Sequence, residues 1–325
     1  MTTVLFSSAG RRAELLNCFR HDAGTLGLPL RIIAVDVQPQ LSAACRLADA
    51  SYPVPRCDAD DFVPTLLDIC RRESVHLIVP TIDPELQVLA EHRPRFAEIG
   101  THVSVSDPGT VRIARDKIRT GVFLRKNKIP TPRSGRLPAV WARPDAFRWP
   151  LILKPISGSS SIGIQLARDK RELRRFLKLE NYVAQELLEG REYTVNMFFD
   201  RTGKLRSAIP HLRREIRAGE VSKGITERHP LLMDYAAKLG LALEGARGAL
   251  CFQAMVNDRG EAAVFEINAR FGGGYPLAHQ AGGTFSKWLL EEVAGRAVSA
   301  TDAWREGVLM LRYDAAVFSK APPGV

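Results

Sequence analysis

Short apolar runs alternate with segments of helical spacing in the first third of the chain. The apolar runs, which predict buried strands, are residues 3–7, 30–35, 77–80 and 103–105. Between them, apolar side chains recur at helical spacing around residues 15–19 and 62–70. Strands and helices in alternation predict a parallel sheet with right-handed crossovers. We therefore expect residues 1–110 to form an α/β domain.

The pattern changes in the rest of the chain, where strands are longer and helices fewer. A helix is predicted over residues 111–128, and a strand over 151–154. A Gly- and Ser-rich turn follows that strand. Strands then dominate from residue 182 to about 315, with two late helices. This change predicts an α+β C-terminal part.

The strand predicted at residues 264–270 has the most informative polar pattern. Alternate side chains of a strand share a face. One face is predicted to carry Glu266, Asn268 and Arg270. The other is predicted to pack on the core through Phe265, Ile267 and Ala269. A carboxylate, an amide oxygen and a guanidinium in a row suit Mg²⁺ and its phosphates; an exposed polar face of an antiparallel sheet is the alternative interpretation.

A second strand precedes this one across a turn. Residues 249–256 are apolar, and the Asn-Asp-Arg-Gly segment after them is a turn signal. If the turn is centred between positions 259 and 260, Gln253 lies directly opposite Glu266. A shifted register makes the two residues diagonal neighbours on the same face. Either register adds an amide oxygen beside the carboxylate.

Composition narrows the class of protein. The chain has 325 residues, 45% hydrophobic and 25% charged, which is typical of a globular protein of two or three domains. Apolar runs are shorter than the roughly 20 residues that span a bilayer, and the N-terminus lacks a positive leader. The net charge is +10, but the basic residues are interleaved with acidic ones, which argues against nucleic acid as a partner. The five cysteines are scattered, so we expect a reducing cytoplasm and no structural zinc.

The first domain also admits a dinucleotide-binding interpretation, with Asp36 as the acid that holds a ribose. However, the first strand is followed by Ser-Ala-Gly rather than by a GxGxxG fingerprint. Ligands of such sheets lie beyond the carboxyl ends of the strands, where we expect Gly10, Arg11, Asp36 and Asp83. Asp83 is either a substrate contact or the cap of the helix that follows it.

A lysine and a flexible loop end the strand at residues 151–154. After Lys154 the loop contains Ser157, Gly158, Ser159, Ser160, Ser161 and Gly163. Glycines allow backbone N–H groups to approach an anion closely, and serines add donors. The loop differs from a Walker loop because a strand follows it and no Gly-Lys-Ser/Thr closes it. The pattern favours a lid over phosphates; an ordinary flexible hairpin is the alternative.

Taken in order, these motifs resemble those of the ATP-grasp superfamily. The motifs are Asp116-Lys117, Ile129–Pro132, Lys154 with its Gly/Ser loop, Gln185-Glu186 with Glu192, and Gln253 with Glu266–Arg270. The resemblance covers essentially the whole chain and is closest to short proteins similar to the large subunit of carbamoyl-phosphate synthase. It implies a Rossmann-like pre-ATP-grasp domain at 1–110. A small ATP-grasp subdomain with the lid would follow at 111–184, and a large one with the Mg–ATP and acceptor sites at 185–325.

The resemblance also assigns roles in ATP binding by position. Lys117, Lys154 and the 157–163 loop would contact the phosphates. The remaining ATP-binding residues would be Gln185, Glu186, Leu188 and Glu192. Of these, Glu186 and Leu188 would meet adenine, largely through their backbone, and Glu192 would hold the ribose.

The metal and catalytic roles follow in the same way. Glu266 would ligate Mg²⁺, or Mn²⁺ in its place, with Gln253 and Asn268 completing the protein ligands. Arg270 and Lys154 would be catalytic, with Arg270 stabilising the transferring phosphoryl group. Many relatives carry an acidic residue where this chain has Gln253, so one negative charge is missing from a site for a second Mg²⁺.

The resemblance implies a ligase, in which ATP phosphorylates a small-molecule carboxylate and an amine displaces phosphate. The acceptor site is predicted to include Arg217, Lys223, Gly272, Gly273, Gly274 and Asp83, although the first two also fit a solvated charged connection. A kinase-like or carbamate-phosphorylating activity is the alternative within the superfamily. An oxidoreductase and a nucleic-acid-binding module are alternatives from other classes. The expected partners are the carboxylate and the amine, without nucleic acid or membrane, and a homodimer is left open.

Overall fold

The first domain is built on a parallel sheet. The computed structural model describes residues 1–158 and 163–320. The strands of this sheet are β1 (Thr2–Ser7), β2 (Leu30–Asp36), β3 (Ala50–Pro53), β4 (Leu77–Pro80) and β5 (His102–Val103). They lie in the order β3-β2-β1-β4-β5 and pair in parallel. The accompanying helices are α1 (Ala13–Leu26), α2 (Ala43–Leu47), α3 (Phe62–Arg72) and α4 (Asp83–Ala97).

This arrangement confirms the predicted α/β architecture of the first domain. β3 is the strand of this sheet that the apolar pattern does not indicate. It lies at the edge of the sheet, and its residues are exposed or half-buried. An edge strand of this kind needs no continuous apolar run, because one side of it faces solvent.

Two helices occupy the stretch where one helix was predicted over residues 111–128, so that prediction is wrong in its continuity. They are α5 (Pro108–Arg115) and α6 (Lys117–Lys126). Asp116 between them is extended, and its carboxylate accepts hydrogen bonds from Ile118 N at 2.8 Å and Arg119 N at 3.0 Å. An aspartate that caps one helix interrupts the helix before it. Lys117 therefore becomes the first residue of α6.

A small antiparallel sheet follows. Its described strands are β6 (Ser134–Arg136), β7 (Leu151–Pro155), β8 (Gln165–Ala167) and β9 (Tyr182–Glu186), in the order β6-β9-β7-β8. The short helices α7 (Leu137–Ala142) and α8 (Lys170–Arg174) accompany it. β7 and β8 pair on either side of the Gly/Ser loop, of which Ser159, Ser160 and Ser161 lie outside the described residues. The predicted boundary between residues 184 and 185 falls within β9, and the domain limits stay predictions.

A larger antiparallel sheet completes the chain. Its described strands are β10 (Arg191–Phe199), β11 (Leu205–Arg217), β12 (Glu220–Thr226), β13 (Gly248–Val256), β14 (Ala262–Asn268) and β15 (Leu309–Leu311). They lie in the order β14-β13-β10-β11-β12-β15. The helices of this part are α9 (Pro230–Ala242), α10 (Tyr275–Gln280) and α11 (Phe285–Val293). The pattern of the sequence indicates two late helices here and does not separate α9 from the surrounding strands.

The hairpin of β13 and β14 has the predicted register at its functional end. Gln253 pairs directly with Glu266, but the register then shifts, so that Ala254 pairs with Val264. Phe265 is left over in a β-bulge, which re-aims side chains locally. Phe265 therefore faces the cavity described below, and its predicted place in the core with Ile267 is wrong.

The first domain packs against the large sheet through its helices and the carboxyl ends of its strands. The rings of Phe19 and Phe271 lie 6.2 Å apart, and Ser286 donates a hydrogen bond to the buried carboxylate of Asp22 at 2.5 Å. This packing brings the turns after β1 and β4 against the segment that follows β14. In the described ranges, none of the helices has the length and apolar character required to cross a membrane.

Candidate active site

One cavity brings most of the predicted site residues together. It has a volume of about 300 Å³. The predicted residues that line it are Lys117, Lys154, Gly158, Gln185, Glu186, Leu188, Glu192, Gln253, Glu266, Asn268, Arg270, Gly272, Gly273 and Gly274. The described residues that were predicted for the site but do not line this cavity are Ser157, Gly163, Asp83, Arg217 and Lys223.

The predicted metal ligands lie side by side on the β13–β14 hairpin. Glu266 and Asn268 alternate along β14, and Gln253 is the cross-strand neighbour of Glu266. With its amide nitrogen toward Glu266, Gln253 donates to Glu266 Oε2 at 2.8 Å. A rotation of the same amide would present its oxygen instead. Clusters of three or more His, Cys, Asp or Glu side chains that could hold a metal are absent from residues 1–158 and 163–320.

One carboxylate and two amide oxygens are a sparse but suitable donor set for Mg²⁺. This ion prefers oxygen ligands and usually keeps water or phosphate oxygens in its coordination sphere. Glu266 and Asn268 both line the cavity, where such oxygens could complete the coordination. The residues therefore fit a magnesium ion that is shared with a phosphate-bearing ligand, and they do not form an all-protein cage.

Arg213 is a site residue that the sequence pattern did not single out. It lies on β11 and forms a buried ion pair with Glu192. It also donates to the oxygen of Gln253 at 2.7 Å and to Gly219 O at 2.8 Å. These contacts connect the predicted ribose-binding carboxylate to the β13–β14 hairpin. Burial raises the pKa of Glu192, and the nearby Arg213 opposes this shift by favouring the charged form.

Two lysines approach the cavity from different elements. Lys154 projects from β7, with its Nζ 5.3 Å from the centre of the Phe265 ring, and Lys117 Nζ donates to Gly158 O at 2.7 Å. Burial and the charge of Lys117 lower the pKa of Lys154 to about 8, against the opposing effect of Glu266. Two ammonium groups that border one cavity and repel each other suit a polyanionic ligand.

The residues after β9 form the other, more apolar end of the cavity. The apolar side chains here are those of Ile152, Leu187, Leu188, Met255 and Phe265. Glu186 is held by a residue that does not line the cavity, since its carboxylate accepts a hydrogen bond from Arg148 N at 2.9 Å. Its side chain is thereby engaged, and the backbone of residues 186–188 borders an apolar slot that suits a planar ring.

Arg270 is held in place by the first domain. Its Nε and Nη2 donate to the same oxygen of Asp83 at 3.0 and 2.7 Å, across 187 positions of sequence. Burial disfavours the charged form, but Asp83 and other nearby groups, Glu220 among them, together outweigh this effect and raise the pKa of Arg270. The carboxylate that caps α4 belongs to Glu85, which accepts from Thr81 N and Ile82 N, so the capping interpretation of Asp83 is wrong. Asp83 contacts the site through Arg270.

The glycines after Arg270 form the far end of the cavity. A Cβ atom on Gly273 would lie 1.2 Å from Glu220 Oε2, and one on Gly274 would lie 2.6 Å from His211 Nε2. Neither position has room for a side chain. His211 is buried, and burial followed by the charges of Arg213 and Arg312 lowers its pKa to about 3. The imidazole is therefore neutral near pH 7.

Arg217 and Lys223 point away from this end of the cavity. Arg217 forms a pair of hydrogen bonds with Asp314, at 3.0 and 2.5 Å, and Lys223 lies 2.7 Å from Glu215. All four side chains are largely exposed. Irregular register between β11 and β12 displaces this part of the hairpin. These contacts agree with the alternative of a solvated charged connection.

Two family profiles match the chain in tandem. One described as "PylC-like, N-terminal domain" matches residues 4–104, and one described as "ATP-grasp domain" matches residues 114–274. The chain belongs to the ATP-grasp superfamily. This confirms the predicted superfamily, and the predicted cofactors ATP and Mg²⁺ are those of ATP-grasp enzymes.

Individual ATP-grasp proteins resemble the chain more distantly. A D-alanine–D-alanine ligase from Chromohalobacter salexigens is 29% identical over 189 residues, which are 55% of this chain and 54% of that ligase. The chain spans about half the length of the curated relatives it matches.

Solved structures show the same fold over more of the chain. The biotin carboxylase domain of the Hydrogenobacter thermophilus 2-oxoglutarate carboxylase has a TM-score of 0.75 at 15% identity, covering 93% of this chain and 72% of that one. The L-amino acid ligase of Bacillus licheniformis has a TM-score of 0.66 at 18% identity, covering 93% and 75%. Identities this low establish the fold and leave the substrates open.

Proposed function

We propose that this ATP-grasp protein is an ATP- and Mg²⁺-dependent ligase that joins a small-molecule carboxylate to an amine. The observation that carries the proposal is the order of groups along one cavity. An apolar slot lies at one end, two lysines and the Glu266 hairpin follow, and Arg270 lies before a glycine turn. This order suits adenine, then phosphates, then the atom that receives the phosphoryl group.

Glu266, with Gln253 and Asn268, would hold Mg²⁺ against the phosphates. When bound, the ion would neutralise phosphate charge and orient the terminal phosphoryl group. Lys117 and Lys154 would also bind the phosphates, so that the protein adds positive charge to that of the ion. Binding of phosphates between these lysines would relieve their mutual repulsion.

The reaction requires two bond changes at the acceptor. A carboxylate oxygen attacks the terminal phosphorus and ADP leaves, which gives an acyl phosphate. The amine nitrogen then attacks the acyl carbon, phosphate leaves and the nitrogen loses a proton. Arg270 would bind the oxygens on which negative charge accumulates, and its pairing with Asp83 supports this role by fixing its orientation in advance.

Water must be kept from the acyl phosphate. We propose that the loop at 157–163 closes over the phosphates, as lids do in other transferases. Ser157, Gly158 and Gly163 would take part, together with Ser159, Ser160 and Ser161 of the segment outside the described residues. Lys117 already holds one end of this loop through Gly158 O.

An amino acid is the proposed class of amine. The names of two similar proteins, a D-alanine–D-alanine ligase and an L-amino acid ligase, support this choice. A homodimer stays a prediction. A reducing compartment also stays a prediction, to which the five free cysteines are no obstacle.

A two-part screen tests the proposal. ADP release would be measured with Mg²⁺–ATP and pairs of carboxylates and amino acids, and products of active pairs would be analysed by mass spectrometry. We expect ADP release that requires both substrates, and a product whose mass is that of the two substrates less one water. Release of a phosphorylated carboxylate as the stable product would contradict the ligase assignment.

The pKa of Lys154 predicts how ATP use depends on pH. Its ammonium loses its charge as the pH rises through about 8, and a neutral amine attracts phosphate less. Because kcat/KM reports groups of the free enzyme, kcat/KM for ATP should fall between about pH 7 and about pH 9. Lys154→Arg keeps its charge over this range and should flatten the decline. Matching profiles for the two proteins would contradict this role of Lys154.

A further inference from the structure

The lining of the cavity includes four carboxylates, and three of them have partners that explain their position. Glu186 accepts from Arg148 N at 2.9 Å, Glu192 pairs with Arg213, and Glu266 accepts from Gln253 at 2.8 Å. The fourth, Glu220, accepts no hydrogen bond from residues 1–158 or 163–320. An acidic side chain that borders a cavity without a donor retains its full capacity to bind one.

Glu220 is nevertheless fixed in position. It is the first residue of β12, directly after a turn in which Ala218 and Gly219 have φ of 50° and 79°. Its carboxylate lies over Gly273, in the space that any other side chain at that position would fill. It therefore faces the cavity at the end beyond Arg270, where the acceptor is proposed to bind.

Two arginines from outside the β13–β14 hairpin flank this carboxylate. Arg12 Nη1 lies 3.8 Å from Glu220 Oε1, and Arg312 Nη1 lies 4.0 Å from Glu220 Oε2. Arg312 is anchored in turn, since its Nη2 donates to Gly273 O at 2.6 Å. Both ion pairs are longer than direct hydrogen bonds, so they flank the carboxylate without occupying its oxygens.

We propose that Glu220 binds the ammonium group of the amine substrate, and that Arg12 and Arg312 are its positioning residues. This inference rests on the proposed ligase function. A nitrogen held by Glu220 lies at the Arg270 end of the cavity, beside the place where the acyl group would form. The bound ammonium would pass one proton to the Glu220 carboxylate, and the lone pair of the resulting amine would then attack the acyl carbon. Arg12 follows β1, so the first domain contributes to the acceptor site through this contact.

Hydroxylamine provides a nucleophile that separates the two hypotheses. It is uncharged at neutral pH and converts an acyl phosphate to a hydroxamate, so its reaction needs the activated carboxylate but no ammonium site. The amine giving the most ADP release in a panel of L- and D-amino acids would be the cationic probe. Both reactions would be measured with the same carboxylate and the full-length protein.

We expect Glu220→Gln to lower kcat/KM for the amine about tenfold more than it lowers kcat/KM for hydroxylamine, the factor typical of a lost charge-assisted hydrogen bond. Glu220→Asp should recover part of this loss. Gly273→Ala, which displaces the carboxylate, should reproduce the selective loss. The matched control is Glu215→Gln, because Glu215 lies in the same hairpin but is exposed and paired with Lys223.

Equal losses for amine and hydroxylamine in Glu220→Gln would overturn the ammonium site while leaving the ligase function standing. An amine-specific effect of Glu215→Gln as large as that of Glu220→Gln would do the same. If the wild-type protein forms neither hydroxamate nor amide with any carboxylate, the ligase function fails and the ammonium site fails with it.

Discussion

Glu266→Gln should lower the rate of ADP formation by about 10³-fold, a loss of the size seen when a main electrostatic contact to the reacting group is removed. Glu266 provides the single carboxylate among the proposed metal ligands, so its amide variant leaves only neutral oxygens. The two amide ligands that remain cannot replace the missing negative charge of Glu266. Steady-state ADP release at saturating ATP would measure the effect, and titration with Mg²⁺ would show whether added metal restores activity.

Glu261→Gln is the matched control for this prediction. Glu261 belongs to the same hairpin, is exposed, and accepts a hydrogen bond from Asn257 Nδ2 at 2.8 Å in the turn. Its variant should retain wild-type activity, and both variants should unfold at the wild-type temperature. Near-normal turnover of Glu266→Gln would remove the hairpin from the proposed mechanism.

The geometry of the β13–β14 hairpin was predictable because its determinants are local. Alternation along one strand and a short turn place Gln253 opposite Glu266. The same alternation fails at Phe265, since a bulge adds one residue to β14 and turns the ring toward Lys154. Sequence alone rarely reveals a bulge, because the extra residue becomes visible only when both strands are aligned.

The contacts that hold the site in place are long-range, and the pattern of the chain could not indicate them. Asp83 and Arg270 are far apart in sequence, and Arg213 meets Glu192 only because β10 and β11 pair in one register. Glu220 is similar, since its importance depends on a glycine turn and on two arginines from other segments. In a chain with many charged residues, the sequence does not indicate which of them form pairs, because the fold determines which side chains meet.

The break between α5 and α6 at Asp116 was only partly predictable from the local sequence. Its side chain and sequence position are both local, and aspartate is a common helix cap. Apolar residues nevertheless continue at helical spacing on both sides of it, which favours one long helix. The cap prevails because Lys117 N donates to Ile156 O at 3.2 Å, outside the helix. That contact also brings Lys117 to the loop that follows β7.

Asp107→Asn serves as the control for variants of the Asp83–Arg270 pair. Asp107 also joins distant segments through arginines, with Arg93 at 2.5 Å and Arg247 at 3.8 Å, but it does not border the described cavity. Asp107→Asn should lose as much stability as the variants of Asp83 and Arg270, but it should retain the wild-type rate of ADP formation. A comparable loss of rate would attribute the effect to packing of the domains.

Arg270→Lys should lower kcat by about 100-fold, because an ammonium cannot reproduce the two-pronged contacts of a guanidinium. Asp83→Asn should lower it by about tenfold, since Arg270 remains but is less firmly oriented. If Asp83 acts only through Arg270, the double variant should be no slower than Arg270→Lys alone. Multiplied losses in the double variant would mean that Asp83 also contacts the substrate directly, which is the role its position after β4 first suggested. The rates of the four proteins therefore determine whether the first domain acts on the reaction through one arginine or touches the acceptor itself.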